Sequence, residues 1–134
     1  MYSRMEYLIK LMEVIEELKE EVERGIPIIV EGKKDVKSLR NLGVDGIFIT
    51  VSRTPIFEIA DELIANNIRE VILLTDFDKR GRQFARAIVD ELQSRGIKVN
   101  TEIRKKIIKY SHGDLKDVES LYIYISRRIE GIRF

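Results

Sequence analysis

Strands alternating with amphipathic helices over 134 residues predict an α/β domain. Its sheet should be roughly four-stranded and mainly parallel, with helices on both faces. Three observations carry this. Short β-branched or leucine-rich runs such as 26–30 and 71–75 lack polar alternation, as strands buried on both faces do. The segments between them repeat apolar residues at helical spacing. Gly25, Gly43 and Gly96 stand where those segments end. With no repeat or long linker, 1–134 reads as a single domain, its core at about 26–103, an N-terminal helix at 3–24 and a C-terminal helical extension at about 117–130.

In the first helix Tyr7, Leu8, Leu11, Val14, Ile15, Leu18 and Val22 form the inward stripe. The strand at 26–30 follows, then a helix to about Leu42 with Val36 and Leu39 inward, and a second strand at 46–50. Thr54 reads as an N-cap before Pro55 at the first helical position, with Ile56, Ile59, Ala60, Leu63 and Ile64 buried on the helix that follows. After the strand at 71–75, residues 80–95 repeat the amphipathic pattern through Phe84, Ala87, Ile88 and Leu92. A fourth strand starts at Ile97 and extends toward Ile103. Residues 104–109 read as strand or loop, and 112–114 as a turn.

The chain has no cysteine, which excludes disulfide frameworks, thiolate zinc sites and cysteine nucleophiles. No apolar run approaches the roughly 20 residues that span a bilayer, and the N-terminus is charged rather than built like a signal peptide. A soluble, cytoplasmic protein without membrane association is expected. Net charge is +1, but unevenly spread: residues 79–128 hold thirteen basic and six acidic groups, whereas residues 1–24 hold four and seven. The basic half could face a polyanion, with Arg80, Arg82 and the run Arg104-Lys105-Lys106 foremost, and Arg86 also follows the acidic pair.

The chemistry concentrates at Thr75-Asp76-Phe77-Asp78-Lys79-Arg80-Gly81. Two carboxylates stand just past the C-terminal end of a buried strand, the edge at which open parallel sheets bind ligands. Hard oxygen donors there suit magnesium, yet Asp-x-Asp alone reads equally well as a turn and helix cap. Glu31 occupies the same place after the first strand. If the two strands are neighbours, three acids meet without an obvious local counterion, which favours a cation.

Val30-Glu31-Gly32-Lys33-Lys34-Asp35 and residues 75–81 resemble the two signature motifs of the Toprim domain, shared by topoisomerases, bacterial-type primases, recombination proteins and certain nucleases. The resemblance spans about 26–103, and residues 31–39 look closest to ribosomal-RNA maturation ribonucleases and small stand-alone Toprim proteins of archaea and bacteria. It implies Mg²⁺, with Mn²⁺ as an alternative, held by Asp76 and Asp78. It also implies Glu31 as the proton-transfer residue and a further metal ligand. The activity implied is that of a Mg²⁺-dependent nuclease or nucleotidyl transferase on RNA or DNA. Gly32 and Gly81 would allow close backbone approach, and Asp35 would be structural. Lys33, Arg80 and Arg82 are candidate phosphate contacts.

Haloacid-dehalogenase-like phosphatases also use Asp-x-Asp, but that motif usually follows the first strand and continues with Thr or Val where this chain has Arg80. A second class of function stays open, a non-catalytic metal- and nucleic-acid-binding module working with a protein partner in a larger assembly. The oligomeric state is open too. His112, the sole histidine, reads as a surface residue, and Tyr110, Tyr122 and Tyr124 as packing residues.

Overall fold

A computed structural model describes residues 2–132. Four strands, β1 (Ile28–Val30), β2 (Phe48–Thr50), β3 (Glu70–Leu74) and β4 (Lys98–Asn100), form one sheet in the order β2-β1-β3-β4. All pairings are parallel, with Val30 opposite Thr50 on one side and Leu74 on the other. The chain leaves β1 toward β2 and later returns to its other side as β3. The switch point of the sheet therefore falls between β1 and β3.

The described residues form six helices: α1 (Arg4–Glu23), α2 (Lys33–Asn41), α3 (Ile56–Ala65), α4 (Lys79–Ser94), α5 (Glu102–Tyr110) and α6 (Leu121–Glu130). Side chains alternate across the pleat and so define two cores. Ile28, Val30, Ile72 and Leu74 face α1, α2, α5 and α6, while Ile29, Val71 and Leu73 face α3 and α4. Both sheet faces are covered, which explains why β1 and β3 contain no polar alternation. Ser3 starts α1 with a complete capping box, its hydroxyl accepting from the Glu6 N–H while Glu6 accepts from the Ser3 N–H.

Four details differ from the sequence reading. The fourth strand stops at Asn100, and residues 104–109 are helical, because the Asn100 side chain accepts the Glu102 N–H at 3.0 Å and turns the chain into α5. On α5, Ile103 and Ile107 are fully buried. The start of α3 shifts by one residue: Pro55, extended at ψ 140, is the N-cap, and Thr54 makes no cap. On α4, Ala85 is buried and Ala87 exposed, since 85, 88 and 92 share the face turned to the sheet.

Candidate metal centre

The parallel pairing of β1 with β3 brings the two acidic loops side by side. Glu31, directly after β1, accepts the Asp76 N–H on Oε2 at 2.7 Å. Asp76 is half-buried and accepts the Val118 N–H on Oδ1 at 3.2 Å. Asp78 is exposed and caps α4, its Oδ1 accepting the Gly81 N–H at 2.7 Å. The cap reading of Asp-x-Asp therefore holds for one oxygen of Asp78. Each of the three carboxylates spends one oxygen on a backbone N–H and leaves its second for another partner.

Gly81 is required by crowding. A Cβ there would run into the Asp76 carbonyl, and the Gly81 carbonyl in turn accepts the Thr75 hydroxyl at 2.9 Å. Gly32 is different: its φ of −154° is extended, and a Cβ there would meet nothing within 4 Å. The expectation of a close approach is thus met at Gly81 and not by any protein group at Gly32. Asp35 is 5% exposed and reaches back to accept the Gly32 N–H at 2.9 Å, the structural role expected of it.

The site has a counterion that the sequence reading placed elsewhere. Arg104, only 7% exposed, donates from Nε to the Thr75 carbonyl at 3.1 Å and from Nη2 to the Asp76 carbonyl at 2.6 Å. Burial depresses its pKa, and Glu31, Asp76 and Asp78 act on it as nearby negative charges. Arg104 therefore belongs beneath the acids and not on a polyanion-facing patch. Lys106 stays at the surface, where it pairs with Glu17 at 3.0 Å. The signal for Arg104 was present, since a helical reading of 102–110 puts Ile103, Arg104 and Ile107 on one face.

Residues 115–118 complete the loop. The Lys116 carbonyl accepts the Phe77 N–H at 2.8 Å, next to the Val118 contact with Asp76. Burial raises the pKa of Asp76 to about 7, opposed by the Val118 N–H and reinforced by Glu31, Asp35 and Asp117. Burial likewise raises the pKa of Asp35. Lys33, Arg80, Arg82 and Arg86 are all exposed, Lys33 on the first turn of α2 and the three arginines on α4. None of the four makes an ion pair among the described residues.

The sequence pattern of the Toprim domain matches residues 25–101, more than half of the chain. This protein belongs to the Toprim family. A Toprim domain brings a metal-dependent, nucleic-acid-related function. Among similar proteins, a UPF0292 protein of Methanocaldococcus jannaschii is 57% identical over 94% of this chain and 98% of its own length. A UPF0292 protein of Methanosarcina barkeri is 42% identical over 88% of this chain and 82% of its own length. A solved structure of a protein from Aquifex aeolicus superposes with a TM-score of 0.70 at 30% identity, covering 81% of this chain and 94% of that one. The relatives are small archaeal proteins, as the resemblance to stand-alone Toprim proteins implied.

Toprim domains bind Mg²⁺ through acidic residues, and the donor set here fits that ion. Mg²⁺ is usually held by one or two carboxylates plus water and phosphate oxygens, not by an all-protein cage. Among the described residues no three His, Cys, Asp or Glu side chains close into such a cage. Asp76 and Asp78 each keep one oxygen free of backbone hydrogen bonds, and Glu31 stands beside Asp76. Among the described residues no helix is long and apolar enough to cross a membrane.

Proposed function

We infer that this Toprim protein acts on nucleic-acid phosphodiester bonds with Mg²⁺ at Asp76 and Asp78, in the manner of a nuclease. The observation that carries the reading is the contact of Glu31 Oε2 with the Asp76 N–H at 2.7 Å. It fixes a carboxylate of one loop against the main chain of the acidic loop, at the switch point where ligands of parallel sheets bind. One oxygen orients Glu31, so the other is available to take or give a proton at a reacting oxygen. Mg²⁺, when bound, would offset negative charge on the phosphoryl oxygens. Arg80 and Arg82 on the first turn of α4, together with Lys33, supply cations and a helix N-terminus to hold the phosphate backbone.

The test is cleavage of single- and double-stranded RNA and DNA with Mg²⁺ and with Mn²⁺. Glu31→Gln keeps the side-chain shape and the acceptor for Asp76 N–H while removing proton exchange. Turnover should fall by about 10²- to 10⁴-fold with nucleic-acid affinity little changed. Asp76→Asn with Asp78→Asn should abolish specific Mg²⁺ binding in calorimetry while the fold persists. A Glu31→Gln protein that cleaves at the wild-type rate removes Glu31 from catalysis. Wild type that binds nucleic acid and Mg²⁺ yet cleaves no substrate turns the reading to a non-catalytic binding module.

A further inference from the structure

A second concave site lies away from the carboxylates. The first turn of α1, the last turn of α5, the turn after it and the end of α6 enclose a cavity of about 750 Å³. That is the size range of small-molecule sites, which are commonly lined by aromatic groups with a few polar ones. Its walls carry the rings of Tyr7, Tyr110 and His112 and the guanidiniums of Arg4 and Arg127, with one carboxylate, Asp114, beside Arg128.

His112 is the left-handed residue that ends α5, its N–H donating to the Lys109 carbonyl and the Gly113 N–H to that of Ile108, and this cap sets its ring with its centroid 3.5 Å from that of Tyr7. Arg4 occupies the first turn of α1, whose N-terminus is already capped by the Glu6 carboxylate, so the positive potential offered here is that of the guanidinium itself. Arg128 is committed, stacked 3.3 Å over the Tyr124 ring and 3.9 Å from Asp114. Arg4 and Arg127 have no carboxylate partner among the described residues, and both are exposed.

Tyr2, Tyr7, Tyr110 and His112 pack on one another, and the side of this aromatic cluster that lines the cavity, beside unpaired guanidiniums, matches a ligand that is flat and apolar at one end and anionic at the other. We propose that this cavity binds a nucleoside phosphate, its base against the tyrosine rings and its phosphate on Arg4 and Arg127. Base stacking on aromatic rings and bidentate arginine contacts with phosphate are the two interactions such a ligand needs. The ligand is either a free nucleotide or one nucleotide of a strand. The strand alternative is geometrically accessible, because α5 connects the two sites. Arg104 at its start holds the Asp76 loop and Tyr110 at its end lines the cavity, six residues or about 9 Å of helix rise apart.

The site does not require catalysis at the carboxylates, so it is tested in EDTA, where the metal-dependent activity is silent. The chain has five tyrosines and no tryptophan, and three of them, Tyr7, Tyr110 and Tyr124, line the cavity, so tyrosine emission should respond to its occupancy. Calorimetry with 5′-AMP and with a single-stranded hexa-adenylate should show saturable binding accompanied by a change in tyrosine emission. Arg4→Gln with Arg127→Gln, both exposed and tolerable to the fold, should weaken it tenfold or more. Asp76→Asn with Asp78→Asn should leave it intact, which separates this site from the metal centre. Equal affinity for the two probes identifies a free-nucleotide site. Tighter hexa-adenylate binding, whose salt slope falls by about 0.7 for each arginine replaced, identifies a strand subsite. Absence of binding by both probes, or binding that survives the double arginine substitution in a folded protein, overturns the proposal.

Discussion

The loops after β1 and β3 share one plan: a buried strand ends, an acidic residue follows, and a second carboxylate caps the next helix through a backbone N–H three residues away. They differ in how they are held. The first is tied partly within itself, since Asp35 accepts the Gly32 N–H, with the Ser52 N–H on the Glu31 carbonyl from outside, and Gly32 has open space around it. The second is gripped from outside by Glu31, Arg104, Lys116 and Val118, and Gly81 closes it with no room for a methyl group. A loop whose Asp76 faces the charges of Glu31, Asp35 and Asp117 needs this framework, because that repulsion opposes the folded arrangement.

Glycine substitutions break the comparison most sharply. Gly81→Ala forces the Asp76 main chain to move and should destabilise the protein by about 3 kcal/mol in urea unfolding, with Mg²⁺ affinity falling alongside. A cost below about 1 kcal/mol would show that the second loop yields as easily as the first. Arg104→Met comes next. It leaves the Thr75 and Asp76 carbonyls without their donor and three acids without their counterion, for about 2–3 kcal/mol. Retention of full stability would mean that the guanidinium merely fills space.

Asp76→Asn acts in the opposite direction and depends on pH. Asp76 has a folded pKa of about 7 against an ordinary 3.8. Between those values the folded chain keeps a proton that the unfolded chain has released, so stability falls as pH rises through the window and the penalty is complete above it. Because the residue is half-exposed, the full shift is discounted for screening to about 1–2 kcal/mol. Asp76→Asn should therefore stabilise the protein by that amount at pH 8 and by nothing near pH 3. Wild-type Mg²⁺ affinity should weaken below pH 7, as protons compete for Asp76. A flat difference between the two proteins across this range would place the titration elsewhere. The smallest effect is expected of Gly32→Ala, about 0.5 kcal/mol, the difference between glycine and alanine at an N-cap. A loss comparable to that of Gly81→Ala would mean that the two loops are equally constrained.

The same contrast separates what the sequence disclosed from what it hid. The strands, α1 to α4, Glu31 beside Asp76 and the structural part played by Asp35 were legible, because each is signalled by periodicity or by residues close in the chain. Residues 104–109 were not. Their β-branched and basic composition masked a helix whose start depends on the Asn100 side chain. Missing the helix meant missing Arg104, since only helical spacing places that cation inward beside Ile103 and Ile107. The Val118 and Lys116 contacts lie 42 and 39 residues from their partners, and no local pattern encodes them. His112 is exposed, as its place beside a glycine turn implies, but its contact with the Tyr7 ring, from the far end of the chain, has no local signal.

The contact between Asp76 and Val118 also bears on how the protein is made. During synthesis the acidic loop emerges first, and its Oδ1 partner is added 42 residues later. At about 5–20 residues per second that interval is roughly 2–8 s, long compared with the formation of helices and hairpins. A nascent chain that has produced β1, β3 and both motifs still lacks Arg104 and Val118, so its acidic loop remains open. Residues 104–118 therefore act as the latch of the site, and a product of translation interrupted before them would carry the motifs without these contacts.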